Sequence, residues 1–585
     1  MRFRVWAPKA EHTVDLVIDQ DGQESTYAME RSDDAGSWEL EHDAPLGTRY
    51  AFALDGGEPL PDPRALRLPD GPNGFGAVVD YETFSWTDQA WRGVPLPGAV
   101  VYELHVGTFT PEGTFDAAIE HLDHLTALGV DIVELMPVAT FPGRYGWGYD
   151  GVGLYAVHEP YGGPDGLVRF VDACHAHGLG VALDVVYNHL GPSGNRLSDF
   201  GPYFTDRYGT PWGEALNLDD ADSDPVRRFI IDNALMWLRE FHIDGLRLDA
   251  VHALYDDRAV TLLEELSSEV SASSTGLGRP LWLIAESDRN DPNTVTPREG
   301  GGLGLHAQWA DDVHHALHVA LTGETQGYYE DFAAPGALTK VLQSVFLHDG
   351  TYSTFRRRTH GRPVDRTRTP GWRFVASLQN HDQVGNRATG DRMSAHLTTD
   401  QLAGGATLLL TAATTPMLFM GEEWGATTPW QYFTDHTDRG IGEAVRRGRR
   451  DEFAAHGWAR QDVPDPQSEQ TAIRSRLDWS EPTRAPHDRL LAWYGTLIAL
   501  RRERPDLGDP RLDLVEVEHD ADAQTVVVRR GDHVVLVNLG TQPWTLPLDA
   551  DNPLVVVAAW DDAGTVLEAD SVTLPGAASA ILGPT

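Results

Sequence analysis

Four stretches of the sequence set carboxylates beside histidine, asparagine or arginine at the end of an apolar run. Asp184-Val185-Val186-Tyr187-Asn188-His189 is one, and Gly245-Leu246-Arg247-Leu248-Asp249-Ala250-Val251-His252 is another. Ala285-Glu286-Ser287-Asp288 follows the apolar Leu281-Trp282-Leu283-Ile284, and Gln379-Asn380-His381-Asp382-Gln383 closes a fourth run. Three carboxylates facing one opening supply what glycoside cleavage needs: a nucleophile, a proton donor, and a charge that stabilises an oxocarbenium-like state. Asp249, Glu286 and Asp382 fit those roles in that order. Arg247 stands two positions before Asp249, so on a strand both project the same way. A guanidinium fixed beside a carboxylate favours its charged form, as a nucleophile requires. Glu286 ends a wholly apolar run, and partial desolvation raises a carboxyl pKa, as a general acid requires. His189 and His381 can hydrogen-bond sugar hydroxyls. Taken singly, each residue has a plainer use: a strand-end Asp caps a turn, Arg247 with Asp249 makes a structural ion pair, and His189 is a satisfied polar histidine. Their joint occurrence favours chemistry.

Such groups need a scaffold that turns several strand ends toward one place. From Val100 onward, apolar strands alternate with amphipathic helices, the pattern of a parallel sheet. Eight strand candidates stand at 100–106, 131–137, 180–187, 245–250, 281–286, 305–309, 374–379 and 415–420. Helices are expected at 115–128, 165–178, 225–241 and 257–270, the third opening on Asp224-Pro225. This predicts an α/β fold, a (β/α)8 TIM barrel whose catalytic groups sit at the C-terminal strand ends. A doubly wound sheet is the structural rival. Two insertions, 190–222 and 325–372, interrupt the repeat. Ahead of it, short strands such as Val14-Asp15-Leu16-Val17-Ile18 predict an N-terminal β-sandwich of immunoglobulin-like, glucan-binding type, with 91–98 as linker. After a helix near 486–503, residues 512–585 return to short strands. The division expected is a sandwich over 1–90, the barrel over 91–505 and a C-terminal β-domain over 506–585.

The four polar strand ends resemble, in order, the four signature regions of the α-amylase superfamily. That resemblance implies that Asp184, Asn188 and His189 match the first region, and Arg247 with the nucleophile Asp249 the second. Glu286 matches the third as acid/base, and His381 with the stabiliser Asp382 the fourth. It makes Tyr149, in Gly146-Trp147-Gly148-Tyr149-Asp150, the aromatic stacked on the sugar being cleaved. Within the superfamily, the N-terminal sandwich and Trp147-Gly148-Tyr149-Asp150-Gly151 are similar to the malto-oligosyltrehalose trehalohydrolases. So are the segment from Gln308 to His318, Leu321-Thr322-Gly323-Glu324, and the run from Gln379 to Arg387. The resemblance adds His252, Asp311, Asp312, His314, His315, Gln383 and Asn386 as substrate-binding residues. It implies hydrolysis of the α-1,4 bond beside the terminal trehalose of malto-oligosyl trehalose, with malto-oligosyl trehalose and related α-glucans as partners. Functional coupling to a malto-oligosyltrehalose synthase is implied with it. A glucan branching transglycosylase shares the layout, and a non-catalytic glucan-binding protein is the rival of another class.

The 585 residues exceed one hydrophobic core. Asp and Glu number 88 against 46 Lys and Arg, a formal net charge of −42 that repels nucleic acid and anionic lipid. A neutral sugar suits that field. Cys174 is the only cysteine and no apolar signal region opens the chain, which predicts a cytoplasmic protein. Leu402 to Gly421 is uncharged and long enough to span a bilayer. Its threonines, glycines and Pro416 read better as a buried helix over 402–413 and a strand from Thr415 to Met420. His314 and His318 have i, i+4 zinc spacing without the Glu of H-E-x-x-H. Asp220, Asp222 and Asp224 start like a calcium loop, but Pro225 and Ile231 stand where Gly and Glu belong. No metal and no cofactor is expected. The run Arg356-Arg357-Arg358 reads as a solvated surface.

Overall fold

A strand covered on both faces must be apolar throughout, and the eight predicted runs meet that requirement in a closed barrel. The computed structural model describes residues 1–33, 35–210, 213–455 and 459–584. The barrel strands are Val101–Leu104, Ile132–Leu135, Gly180–Val185, Gly245–Leu248, Trp282–Ala285, Ala307–Trp309, Phe374–Ser377 and Thr415–Phe419. They pair in parallel in chain order, and the eighth closes on the first. The rival doubly wound sheet is thereby set aside. Inside, Val101, Ile132, Trp282, Ile284 and Met417 form an apolar plug near the strands' N-terminal ends. Two residues further along, the inward side chains turn polar: Glu103, Glu134, Asp184 and Arg247, all buried.

Gly245 is required by this plug. It pairs with Trp282 in register, and a Cβ on it would stand 1.7 Å from the indole. Gly245→Ala is expected to destabilise the fold at or above the upper end of the ~1–3 kcal/mol that overpacking costs. Denaturant melts check this, and adding Trp282→Leu should recover most of the loss.

The helices differ from expectation at their ends. The predicted 115–128 helix is two, Phe115–Ile119 and Leu122–Leu128, broken where His121 stacks on Trp479 at 3.8 Å. The helix placed at Asp224-Pro225 starts earlier, at Ser223, after Asp222 in the left-handed region at φ 57°. Pro225 still falls in the first turn, where a missing N–H costs nothing. The helix expected over 257–270 is Leu262–Leu277. Its start is set by a capping box between Thr261 and Glu264, and Gly278 at φ 66° ends it. Thr399–Leu410 has a second such box, Thr398 with Gln401, and the strand Thr415–Phe419 follows. Among the described residues, no helix is long and apolar enough to cross a membrane.

At the N-terminus, a three-stranded and a five-stranded sheet face each other, with Phe3 of one against Tyr50 of the other at 5.0 Å. The expected linker is tied down. Trp91 donates from Nε1 to Asp244 at 2.8 Å and stacks on His175 at 4.3 Å, beneath the fourth barrel strand. The insertions carry hairpins, Phe204–Thr210 with Gly213–Leu216 and Thr351–Ser353 with Arg358–His360. The C-terminal strands from Val515 onward form a five-stranded and a three-stranded sheet.

Candidate active site

The strand-end carboxylates meet at one buried cation. Arg247, fully buried, donates from Nη1 to Asp184 Oδ2 at 2.7 Å and to Asp249 Oδ1 at 2.9 Å. From Nη2 it donates to Glu286 Oε2 at 2.9 Å. Its guanidinium lies over the Trp309 ring, 4.2 Å from the centroid. Asp249 Oδ2 accepts from Asn188 Nδ2 at 2.6 Å, and the Asn188 carbonyl faces His189 Nδ1. His189 Nε2 reaches the Tyr149 carbonyl at 3.0 Å, so this histidine ties Asn188, the partner of Asp249, to Tyr149. The Ala250 N–H donates to Glu286 Oε2 at 2.8 Å, while Ala250 itself takes a left-handed φ of 39°. Burial raises the Glu286 carboxyl above its usual range; Arg247 opposes the shift and Asp249 adds to it. That is the direction a proton donor needs.

A second chain of bonds fixes Tyr149. Tyr149 donates to Asp184 Oδ2 at 2.6 Å and meets His381 Nε2 at 2.8 Å. His381 presents its other nitrogen to Glu103 on the first strand. Burial works against charging His381, but Asp382 and Glu103 together push its pKa up to about 9. Burial raises Asp184 to about 7, against the pull of Arg247. Asp382 is partly exposed at the mouth, 3.5 Å from His381 Nε2 and 3.1 Å from Asn386 Nδ2.

Beside them, half-buried Asp311 opens the helix Asp311–Thr322. Burial, then the charges of Glu286 and Asp382, push its carboxyl up to about 7. Gln383 takes the hydroxyls of Tyr328 and Tyr329 at 3.4 and 3.5 Å. His252 lines an open cavity of about 520 Å³ with Tyr255, Asp288, Arg289, Arg358 and His360. Arg357 and Arg358 are exposed as expected of a solvated surface, while half-buried Arg356 donates to Asp288 at 3.2 Å at the edge of this cavity.

Asp312 and His314 are buried beside the site and engaged with protein partners. Asp312 is buried and accepts from Asn290 Nδ2 and the N–H groups of Leu347 and His348, pinning the second insertion. His314 is buried between His315 and His318, and burial lowers its pKa well below the usual value. His318 bonds Glu324, which also binds Arg387, so the zinc-like spacing serves a packed network. His315 is half-buried and packs against Tyr328 and Phe332. In the calcium-like stretch, Asp224 pairs with Arg258. The neighbouring Asp219 accepts from Tyr208 and the Asp257 N–H. Among the described residues, no group of three or more His, Cys, Asp or Glu is set to hold a metal ion.

Glu103 and Glu134 were not among the expected site residues. Each is an acid inside an apolar strand, at an inward position opposite the other in register. Glu134 has no partner for either carboxyl oxygen, and burial followed by Glu103 raises it to about 8. A carboxyl raised in the fold binds more protons folded than unfolded, so its share of stability is lost as pH climbs from 4.5 to 8. Glu134→Gln removes that loss. Its melting temperature should exceed the parent's by about 1–3 °C at pH 8 and by less at pH 5.

Comparison with known proteins agrees with this geometry. Residues 79–199 match the family Alpha amylase, catalytic domain, and 1–69 match Carbohydrate-binding module 48 (Isoamylase N-terminal domain). Residues 510–581 match a domain of unknown function. A malto-oligosyltrehalose trehalohydrolase from Arthrobacter ramosus is 56% identical, covering 93% of this chain and 94% of the relative. One from Mycobacterium tuberculosis is 51% identical over 98% of this chain and 99% of its own. A Salmonella typhimurium protein assigned to the alpha amylases superposes with a TM-score of 0.90 at 37% identity, covering 100% of this chain and 97% of that one.

Proposed function

The chain belongs to the malto-oligosyltrehalose trehalohydrolases, glycoside hydrolases of the α-amylase family, and we infer that Asp249 is its nucleophile, Glu286 its acid/base and Asp382 its third carboxylate. It cleaves the α-1,4 bond beside the terminal trehalose of malto-oligosyl trehalose and releases trehalose. One observation carries the assignment of roles. Two ends of a single planar guanidinium hold Asp249 and Glu286, each at 2.9 Å. Carboxyls clamped that way fit the ~5–5.5 Å separation of retaining enzymes and leave no room for the water of an inverting one. Asp249 attacks the anomeric carbon while Glu286 protonates the leaving oxygen. Glu286, now ionised, then takes a proton from the water that displaces Asp249. Tyr149 and His381 frame the sugar between the nucleophile and Asp382. The leaving trehalose lies on the Glu286 side, where Asp288 and Arg289 line the cavity.

Proton NMR of the first minutes on malto-oligosyl trehalose tests both halves. Trehalose should appear together with an α-anomeric new reducing end, since two inversions restore configuration. An initial β-anomer would refute the mechanism, and glucose or maltose without trehalose would refute the substrate; transfer to a 6-hydroxyl would support the branching reading.

Three further assignments follow the same reading. The substrate carries a trehalose end that a transglycosylating synthase must install, so the two activities are coupled. Cys174 is buried with nothing to pair with, which fits a cytoplasmic enzyme. The chain divides at 1–90, 91–505 and 506–585, with the helix His487–Glu503 packed on the barrel side against Thr399–Leu410.

A further inference from the structure

Between the sandwich and the barrel, residues 86–94 cross the foot of the barrel, at the strand ends opposite the carboxylate cluster. Three side chains fasten them. Trp86 stacks on His242 at 3.9 Å, and Trp91 stacks on His175 at 4.3 Å while donating to Asp244. Asp88 meets both histidines with one oxygen, Oδ2, which lies 2.8 Å from each Nδ1. At the end of the segment the Val94 carbonyl accepts from Trp282 Nε1 at 3.0 Å, and Leu96 joins the apolar plug.

His175, on the helix Gly163–Ala176, is the hub of this arrangement. Its side chain is 1% exposed and lies between Asp88 on the segment and Asp244 ahead of the fourth strand, with Asp244 Oδ2 3.1 Å from Nε2. Asp244 already accepts from three N–H donors, Trp91 and Arg279 at Oδ1 and Val181 at Oδ2. Toward His175 it therefore acts as an acceptor too, and Nε2 donates. Asp88 Oδ2 can serve two rings at once only by accepting, so Nδ1 donates as well. A neutral imidazole has one N–H, and a ring that donates at both nitrogens is an imidazolium. Burial works against that charge, but the bonds to Asp244 and Asp88 outweigh it and raise the His175 pKa. No neighbour can replace it. Arg279 is committed to Asp244 and the Leu238 carbonyl, and His242 reaches Asp88 from the outer side. Asp172 on the same helix binds Thr87, and burial pushes the Cys174 thiol up, so it stays neutral.

We propose that residues 86–94 form a pH-sensitive strap, fastened by the His175 imidazolium and released when that ring loses its proton. Once neutral, His175 can donate to one aspartate and turns a lone pair to the other, leaving a buried carboxylate without its counter-charge. The folded pKa lies above the unfolded 6.5, so the fastening is complete below pH 6.5 and is lost as pH rises through the folded value. Release also frees Trp282, which packs against Gly245 on the strand that carries Arg247 and leads to Asp249.

Two measurements on the full chain test the strap. Histidine-selective 15N NMR, with the His175 signals identified by their loss in His175→Gln, should show both ring nitrogens protonated at pH 7. Hydrogen exchange of peptides spanning 84–96, corrected for the intrinsic effect of pH, should lose about tenfold or more in protection between pH 6 and pH 9. Its midpoint should be that of the ring titration, while the barrel strand Gly180–Val185 keeps its protection. In His175→Gln the strap should exchange at the parent's alkaline rate at every pH. A neutral His175 ring at pH 7, or strap protection in the parent that ignores pH, overturns the proposal. So does pH-dependent protection that survives in the variant. The exchange measurement on the parent decides even where the variant folds poorly.

Discussion

Asp249→Asn lowers turnover by on the order of 10⁴-fold or more, because the covalent intermediate cannot form without a carboxylate at that oxygen. Glu286→Gln gives a comparable loss on malto-oligosyl trehalose, for a different reason. An amide cannot protonate the leaving oxygen, but the nucleophile is intact. A fluoride leaving group needs no such proton, so α-maltosyl fluoride should recover the first step in Glu286→Gln and not in Asp249→Asn. Folding separates the effect from damage. In each variant Arg247 keeps two of its three carboxylate partners, and melting should stay within a few degrees of the parent. Steady-state rates on both substrates, with melts of the same preparations, decide it. A variant that keeps a tenth of the parent rate removes its residue from the assigned role.

The strands were legible because burial on both faces writes itself as an unbroken apolar run, as in Leu281-Trp282-Leu283-Ile284. The site was legible where polar residues end such runs. Glu103 and Glu134 were not, because each is one acid among apolar neighbours and its partners lie on other strands. No spacing along one strand reveals that His381 or Arg247 stands across the barrel. The start of Leu262–Leu277, later than the expected 257, has a local cause: the Thr261 and Glu264 capping box sets it. Burial along the helix Asp311–Thr322 follows the helical period only in part. His314, Leu317, His318 and Leu321 recur at helical spacing and all are buried, whereas Asp311 and His315 fall on the half-buried face. Asp312 lies off that stripe, and its burial comes from the second insertion, whose Leu347 and His348 N–H groups donate to it.

Arg247→Met should be the most damaging substitution in the chain, for activity and stability together. The cation is fully buried and serves three carboxylates at 2.7–2.9 Å. Removing the one cation leaves three carboxylates without a counter-charge, and breaking a buried ion pair in this way costs about 3–5 kcal/mol or more. Turnover should fall at least about 10³-fold, since the nucleophile and the acid lose the group that sets their distance. Arg247→Lys should restore little, because a point charge cannot hold Asp184 and Asp249 at one end and Glu286 at the other. The pH dependence identifies the cause. Arg247 lowers the pKa of both Asp184 and Glu286, so its loss raises both carboxyls further above their unfolded values. The folded protein then holds more protons than the unfolded chain from about pH 4 upward, so stability falls as pH rises. In the parent, Asp184 already titrates at about 7, and in the variant the decline continues to higher pH. Arg247→Met should therefore melt closest to the parent near pH 4–5 and increasingly below it toward pH 8. A constant deficit across that range would mean lost packing against Trp309 rather than lost charge.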